Sequence, residues 1–448
     1  MRPPKPAARP DKVSLWRYMK LFRQDILSAQ PARLYRAWMA EFRTPFFRSY
    51  LCNDPDLVDL VLKRRPDDFP KSDRIREGLE PLLGNSVFVT NGETWKRQRR
   101  IIDPAFEGGR IRDGFPAMLA AAEGAVARLR AGPASLDIEG ECSHAAADVI
   151  FRTLFSIPIE HEIAAQVFDQ FRDYQRSQPI LNIAAFLPLP RWLPRLHGRR
   201  TKAAAARIRA LITELTAARM AAIEAGTAPD DLATRIMTTP DPRTGTRFDT
   251  AEMVDQVAIF FLAGHETSAS ALAWSLHLLA THPEAQERVA EEVRGFMADP
   301  GFGALSRLRF TRDVFREALR LYPPVPMMVR ETTCPEEFRG RAVRKGGQVV
   351  LSPWHLHRHE RIWDAPDDFD PDRWARPETR ACARDAWMPF SAGPRVCPGA
   401  GFAMAEGVLL LAMITGTFRM TAEGAPPVPV AFLTVRARDG IHLRLTPR

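Results

Sequence analysis

The sequence predicts a mainly helical protein with small β-sheets, one domain over residues 13–448 behind a disordered lead of residues 1–12. Three observations predict it. Helical periodicity runs through most of residues 95–300. Within it lies an unbroken apolar-rich segment of about thirty residues, which at 1.5 Å rise makes a rod of roughly 45 Å, long enough to cross a domain. No repeat, linker or internal low-complexity tract divides the 448 residues, so they can share one large core.

The lead, MRPPKPAARPDK, is proline-rich and basic, and no apolar stretch follows it as a secretory signal would require. Short strand and helix signals mix from there to about residue 95. Residues 179–196, PILNIAAFLPLPRWLPRL, are apolar but interrupted by proline, which blocks helix continuation. They read as an irregular loop: a lid over an apolar cavity, a membrane-surface contact, or a segment packed on the body. Residues 201–226 are alanine-rich with helical spacing and stop at Gly226. The long segment starts at Asp249, a cap with Glu252 three residues on as its capping-box partner. It runs to about Thr281, with Pro283 just beyond. Apolar residues lie nearly all round it between Val257 and Gly264, which marks a central helix. A last helix is expected over residues 399–418. The apolar runs 257–264 and 408–414 are too short to span a bilayer.

Composition narrows the function. Apolar residues make up 45% and charged residues 26%, ordinary for a globular protein. Cys52, Cys142, Cys334, Cys382 and Cys397 are scattered with no CxxC pair. That argues against a disulfide framework or zinc ribbon and for a reducing compartment, the cytoplasm. Net charge is +9, with basic knots at Lys63–Arg65 and Lys96–Arg100. These suit a solvated surface or an acidic protein partner; without interleaved aromatics they do not read as a nucleic-acid site. His355, His357 and His359 would share one side of a strand, but no fourth ligand stands nearby, so no metal site is read there.

Four stretches carry chemistry. "FSAGPRVCPG" (390–399) fences Cys397 with Gly393 and Gly399, and a helix follows at once. A thiolate at a helix N-terminus is favoured by the macrodipole, and a soft thiolate suits iron in haem. "AGHETS" (263–268) breaks the apolar run of the central helix. Ala263 and Thr267 share a face, open enough for something flat, and the Thr267 hydroxyl can bond the Ala263 carbonyl. A buried Glu266 needs a partner or water. "EALRLYPPVP" (317–326) sets Glu317 and Arg320 at ion-pair spacing, with Arg373 of "FDPDRW" (369–374) as a possible third member. "TWKRQRR" (94–100) places Trp95 and Arg99 on one face; with Arg330 and Arg395 they supply cations and an indole donor for carboxylates.

With these motifs in order between residues 95 and 399, the sequence resembles the cytochrome P-450 family of haem-thiolate monooxygenases. Phe390, Gly393, Arg395, Cys397 and Gly399 match its F-x-x-G-x-R-x-C-x-G loop; AGHETS matches its oxygen-activating motif. Glu317, Arg320 and Arg373 match its E-x-x-R pair and third partner, and Trp95 and Arg99 its W-x-x-x-R. The resemblance implies a long central helix over haem b (iron protoporphyrin IX) and Cys397 as its axial thiolate, with Phe390 and Gly399 beside it. Trp95, Arg99, Arg330 and Arg395 would hold the propionates, and Ala263 and Gly264 would lie over the ring. Glu266 and Thr267 would hydrogen-bond dioxygen and relay protons. Glu317, Arg320 and Arg373 would be structural.

The implied reaction inserts one atom of dioxygen into a medium-to-large hydrophobic substrate, a fatty acid, terpenoid or steroid-like molecule. Phe260, Ala263, Met327, Met328 and Val329 would line the pocket, near residues 85–89 and 179–196. Arg74 and Arg76 at the entrance would suit a carboxylate. No flavin or iron–sulfur unit is recognisable. Electrons from NAD(P)H are therefore expected through a separate ferredoxin or flavodoxin with its reductase, docked at Lys96–Arg100. The protein is expected to be a monomer with no transmembrane anchor. Two rivals are a peroxide-driven peroxygenase and a non-catalytic haem sensor. The acid–alcohol pair Glu266–Thr267 argues against both, since it suits dioxygen activation and sensing needs no proton relay.

Overall fold

The computed structural model describes residues 2–43, 48–107, 109–177, 198–431 and 433–448. The apolar stretch 179–196 lies outside them. The helices that frame the site, numbered in chain order, are α1 (Asp73–Leu83), α2 (Gly92–Ile102), α3 (Arg110–Ala131), α4 (Ile138–Phe155) and α5 (Glu162–Ser177). They continue with α6 (Arg199–Glu224), α7 (Thr250–Thr281), α8 (Arg309–Leu321) and α9 (Ala400–Thr417).

Helix α7 is the central rod that was expected, and its capping box forms. The Asp249 carboxylate accepts from the Glu252 amide at 2.7 Å, and the Glu252 carboxylate from the Asp249 amide at 3.1 Å. Its 32 residues pack against α4, α6, α8 and α9 and are buried on almost every side. A Cβ on Gly264 would come within 2.6 Å of Ile150 Cδ1, so this glycine lets α4 close onto α7. Helix α9 is long and apolar enough to cross a membrane, but most of it is buried in the core.

The strands are β1 (Met39–Arg43), β2 (Arg48–Cys52), β3 (Ser135–Asp137), β4 (Met328–Glu331), β5 (Glu336–Phe338) and β6 (Arg341–Val343). They continue with β7 (Gln348–Leu351), β8 (Phe418–Ala422), β9 (Pro429–Ala431), β10 (Val435–Ala437) and β11 (His442–Pro447). They form small sheets in the orders β1-β2-β7-β4, β3-β11-β8, β9-β10 and β5-β6. The β9–β10 hairpin lies on α7, where Ser270 Oγ donates to the Val435 carbonyl.

The predicted triad forms in full. Glu317 accepts from Arg320 Nη2 at 2.8 Å and Nε at 2.9 Å, and from Arg373 Nε at 2.9 Å. All three side chains are at most 2% exposed. The arginines spend their remaining donors on carbonyls of His357, Pro366, Asp368 and Asp364. The triad thus pins the 357–373 segment, from which the chain runs on towards Cys397.

Residues of the lead contact the body: Arg9 Nε donates to the Ala29 carbonyl at 2.6 Å, Tyr322 Oη to the Pro4 carbonyl at 2.8 Å, and Lys5 sits over the Tyr35 ring. One expectation is corrected. The three histidines are not on a strand; Ser352 caps a helical turn there and bonds His355 Nδ1 at 2.8 Å. His357 Nε2 accepts from the Met388 amide at 2.9 Å, and His359 stacks on Trp38. All are buried, and no group of three metal-ligating side chains occurs among the described residues.

Candidate active site

The Cys397 loop is shaped by close approach. Gly393 has φ +68°, and a Cβ there would fall 1.9 Å from the Leu62 carbonyl oxygen, so only glycine fits. The Cys397 amide donates to the Phe390 carbonyl at 2.9 Å, curling the chain around the sulfur. Phe390 is half-buried, its ring edge-on to Trp387. Gly399 sits at the N-terminus of α9 and offers its N–H to the sulfur. Cys397 is exposed, yet the chain crowded around its sulfur desolvates it and pushes the thiol pKa up, while the Gly399 N–H and then the charges of Arg99 and Lys71 pull it down. The net shift is upward, so in the protein alone the sulfur keeps its proton, and a bound metal ion is what would displace it.

Around the sulfur the expected cations converge. Arg395 donates to Asn91 Oδ1 at 2.7 Å and the Thr90 carbonyl at 3.2 Å, with its guanidinium 4.1 Å from the Trp95 ring. Arg99 bonds the Val396 carbonyl at 2.7 Å and pairs with Asp103. Arg330 is buried on β4, and burial lowers its pKa to about 10; burial, then Arg330, lower Arg395 to about 10 as well. A fourth cation was not foreseen. Lys71 bridges to Arg330 through the backbone, and its ammonium lies over the Phe88 ring, donating to the Phe88 carbonyl. Burial and then Arg330, Arg395 and Arg99 hold its pKa well below the usual lysine range. Arg99 already meets Asp103, but Lys71, Arg330 and Arg395, crowded together with no ion pair among the described contacts, are costly unless they meet anions. A flat ligand with two carboxylates and an iron for the sulfur, as haem is, fits these residues.

On α7, Ala263 is exposed and Thr267 half-exposed in the middle of an otherwise buried helix. The Thr267 hydroxyl donates to the Ala263 carbonyl at 2.5 Å, the bond anticipated from their spacing. Gly264 serves the α4 contact. Glu266 departs from expectation: its carboxylate is not beside Thr267 but turned to the β9–β10 hairpin, bonded by Thr434 and ion-paired with Arg436. His265 is a packed residue, 2.7 Å from Ser143 Oγ.

The expected pocket residues divide. Phe260 is half-buried against Phe106, and Met327 and Val329 are half-buried. Met328, one residue out of phase on β4, packs instead with the second core cluster around Tyr50, Trp374 and Met388. Residues 85–89 are tied to α7: the Asn85 amide bonds Asp255 and the Val87 amide bonds Gln256. Leu433, at the hairpin turn beside Thr434, is 43% exposed and was not anticipated. The basic knot at 96–100 is no free patch. Arg97 is bound by Glu252 at 2.6 Å and Arg100 by the fully buried Asp241 at 2.6 Å.

Behind the site, Ser268 Oγ donates to Glu406 of α9 at 2.7 Å, and burial pushes the Glu406 pKa up to about 8. The folded protein then holds a proton that the unfolded chain releases above its ordinary carboxylate pKa. Stability from this group therefore falls as pH rises from about 4.5 towards 8, by on the order of 1 kcal/mol per pH unit, and levels off above. Glu406→Gln should flatten that slope in thermal unfolding followed from pH 5 to 8, and an unchanged slope would count against a protonated Glu406.

The sequence profile described as Cytochrome P-450 matches residues 39–439. A cyclooctat-9-en-7-ol 5-monooxygenase of Streptomyces melanosporofaciens is 34% identical over 93% of this chain and 87% of its own. A pentalenene oxygenase of Streptomyces avermitilis is 31% identical over 89% of this chain and 88% of its own. Among solved structures, the haem domain of a cytochrome P-450DA mutant superposes with a TM-score of 0.81 at 24% identity, covering 99% of this chain and 97% of that one, a likeness of fold.

Proposed function

The chain belongs to the cytochrome P-450 family of haem-thiolate monooxygenases, and from that premise we propose that its substrate is a cyclic terpenoid. The observation that carries this is its likeness along nearly the whole chain to two oxygenases named for cyclic terpenoids. The side chains we assign to the substrate chamber support it: Phe260, Ala263, Met327, Val329 and Leu433 are all apolar. Arg76 donates to Asn85 Oδ1 at 3.0 Å, which weakens the case for a fatty-acid carboxylate at the entrance.

Bound haem supplies the binding and activation of dioxygen. In this reading Cys397 holds the iron, and Lys71, Arg330 and Arg395 hold the propionates, with Arg99 bracing the cysteine loop and Trp95 backing Arg395. Ala263 keeps the ring face clear. Thr267, released from the Ala263 carbonyl by a turn about χ1, would offer its hydroxyl proton beside Ala263, and Glu266 would carry the proton that replaces it. The apolar lining excludes water from the rest of the chamber. Electrons come from NAD(P)H through a reductase and a separate ferredoxin or flavodoxin. We place their docking not at Lys96–Arg100, whose arginines are internally paired, but around Val396, 38% exposed and next to the sulfur ligand. Five unpaired cysteines suit the cytoplasm.

The test is a titration of the ferric holoenzyme with a cyclic terpene hydrocarbon and, separately, a long-chain fatty acid, followed at the Soret band. The terpene should move the band to the high-spin form, and with ferredoxin, reductase and NADPH it should gain one oxygen atom from labelled dioxygen. A shift with the fatty acid alone would overturn the terpenoid reading, and turnover with peroxide but not with the redox partners would overturn the monooxygenase route.

A further inference from the structure

Glu266 and Thr267 lie on different faces of α7, so the acid is not held by the alcohol it is meant to serve. It is held by the hairpin. Glu266 Oε1 accepts from Thr434 Oγ1 at 2.8 Å and is ion-paired with Arg436. Glu266 Oε2 is buried without a partner, on a residue only 6% exposed. A buried carboxylate oxygen in that state requires a donor, a water or a mobile hydroxyl. The Arg436 side chain is 35% exposed against 7% for Glu266, so the arginine stands between the acid and the outside.

Beyond Arg436 lies a second acid. Glu139, at the start of α4, accepts from the Ala437 amide at 2.9 Å. Burial, chiefly, lifts its pKa to about 7, with Arg436 and His442 of β11 acting to lower it and Asp137 to raise it. Asp137 is occupied by the Glu139 and Ile441 amides. His265, the other titratable group near Arg436, is bonded to Ser143, and burial depresses its pKa to about 3, so it stays neutral.

Resting on the reading of Glu266 as a proton carrier, we propose that Arg436 is its positioning residue. It anchors one carboxylate oxygen to the β9–β10 hairpin, leaves the other to carry the proton, and joins the buried acid to the surface beside Glu139. A neutral residue at 436 would leave a buried carboxylate with no cation, and the acid would hold its proton to higher pH.

The experiment compares the holoenzyme with Arg436→Gln, Arg436→Lys and Glu266→Gln. Two quantities are followed against pH: product formed per NADPH consumed, and the infrared carboxylate signal that Glu266→Gln deletes. In Arg436→Gln the pH at which that signal appears should rise by about 1 to 3 units, the effect of taking a cation from beside a carboxylate. The coupling profile should move the same way, and Arg436→Lys should restore most of both. If Arg436→Gln lowers only the melting temperature and moves neither pH profile, the arginine is merely structural and the proposal fails. If Glu266→Gln itself leaves coupling intact, the proton-carrier reading fails and this one with it. Uncoupling in Glu266→Gln with none in Arg436→Gln overturns the positioning role alone.

Discussion

Glu317→Ala should destabilise the protein by about 3 to 5 kcal/mol, the usual cost of removing one partner from a buried ion pair and a large share of a typical domain's stability. The reason is what remains. Arg320 and Arg373 are each at most 2% exposed, and the substitution leaves both guanidinium groups buried without their only carboxylate partner among the described contacts. They would still hold the carbonyls of His357, Asp364, Pro366 and Asp368, but a carbonyl does not neutralise a charge. The effect should reach the sulfur, because the segment the triad pins supplies His357, which takes the Met388 amide two residues before Phe390. Lower haem retention should therefore accompany the lower midpoint in denaturant unfolding. Glu317→Gln keeps the shape but offers one neutral acceptor, so it should lie between wild type and Ala. A loss below 1 kcal/mol in Glu317→Ala would show that water reaches the arginines.

The parts of the fold that sequence made legible are those where local chemistry and burial agree. The central helix announces both ends through Asp249, Glu252 and Pro283, and its apolar run has no other stable place than the core. The cysteine loop is legible because the glycines and the arginine that flank Cys397 form one contiguous pattern, although the reason for Gly393, the Leu62 carbonyl 331 positions away, is not in that pattern. What escaped depends on partners far away in the chain. Lys71 looks like any surface lysine until the backbone pairs it with Arg330, 259 positions on. Arg97 and Arg100 read as a docking patch because the acids that consume them, Glu252 and Asp241, are more than 140 residues distant. The hairpin of β9 and β10 is only three residues a side, too short for an alternation signal, yet it supplies both partners of Glu266. Neighbouring position in AGHETS says that Glu266 and Thr267 are close; helix geometry, at about 100° per residue, says that they look different ways.

Cys397→Ser should abolish monooxygenase turnover, by at least about a thousandfold, the equivalent of roughly 4 kcal/mol of barrier. A hydroxyl is a hard, weakly donating ligand, and the thiolate's electron donation is what favours O–O cleavage in this family. The apoprotein should not notice the change. Serine is nearly isosteric, the amide-to-Phe390 bond uses only backbone, and apo stability should stay within about 0.5 kcal/mol. The two outcomes together separate a ligand from a structural cysteine. A third follows from the sulfur's environment. The raised thiol pKa keeps the sulfur protonated in the protein alone, so loading haem must expel that proton. Wild-type apoprotein should then bind haem more tightly as pH rises below the thiol pKa, by up to about tenfold per pH unit for one displaced proton. Cys397→Ser has no such proton to lose, and its weaker haem binding should be flat over the same range. A rising profile in the serine variant would assign the released proton to a group other than the sulfur, whereas a falling one would point to Lys71, whose charged form a bound propionate would favour.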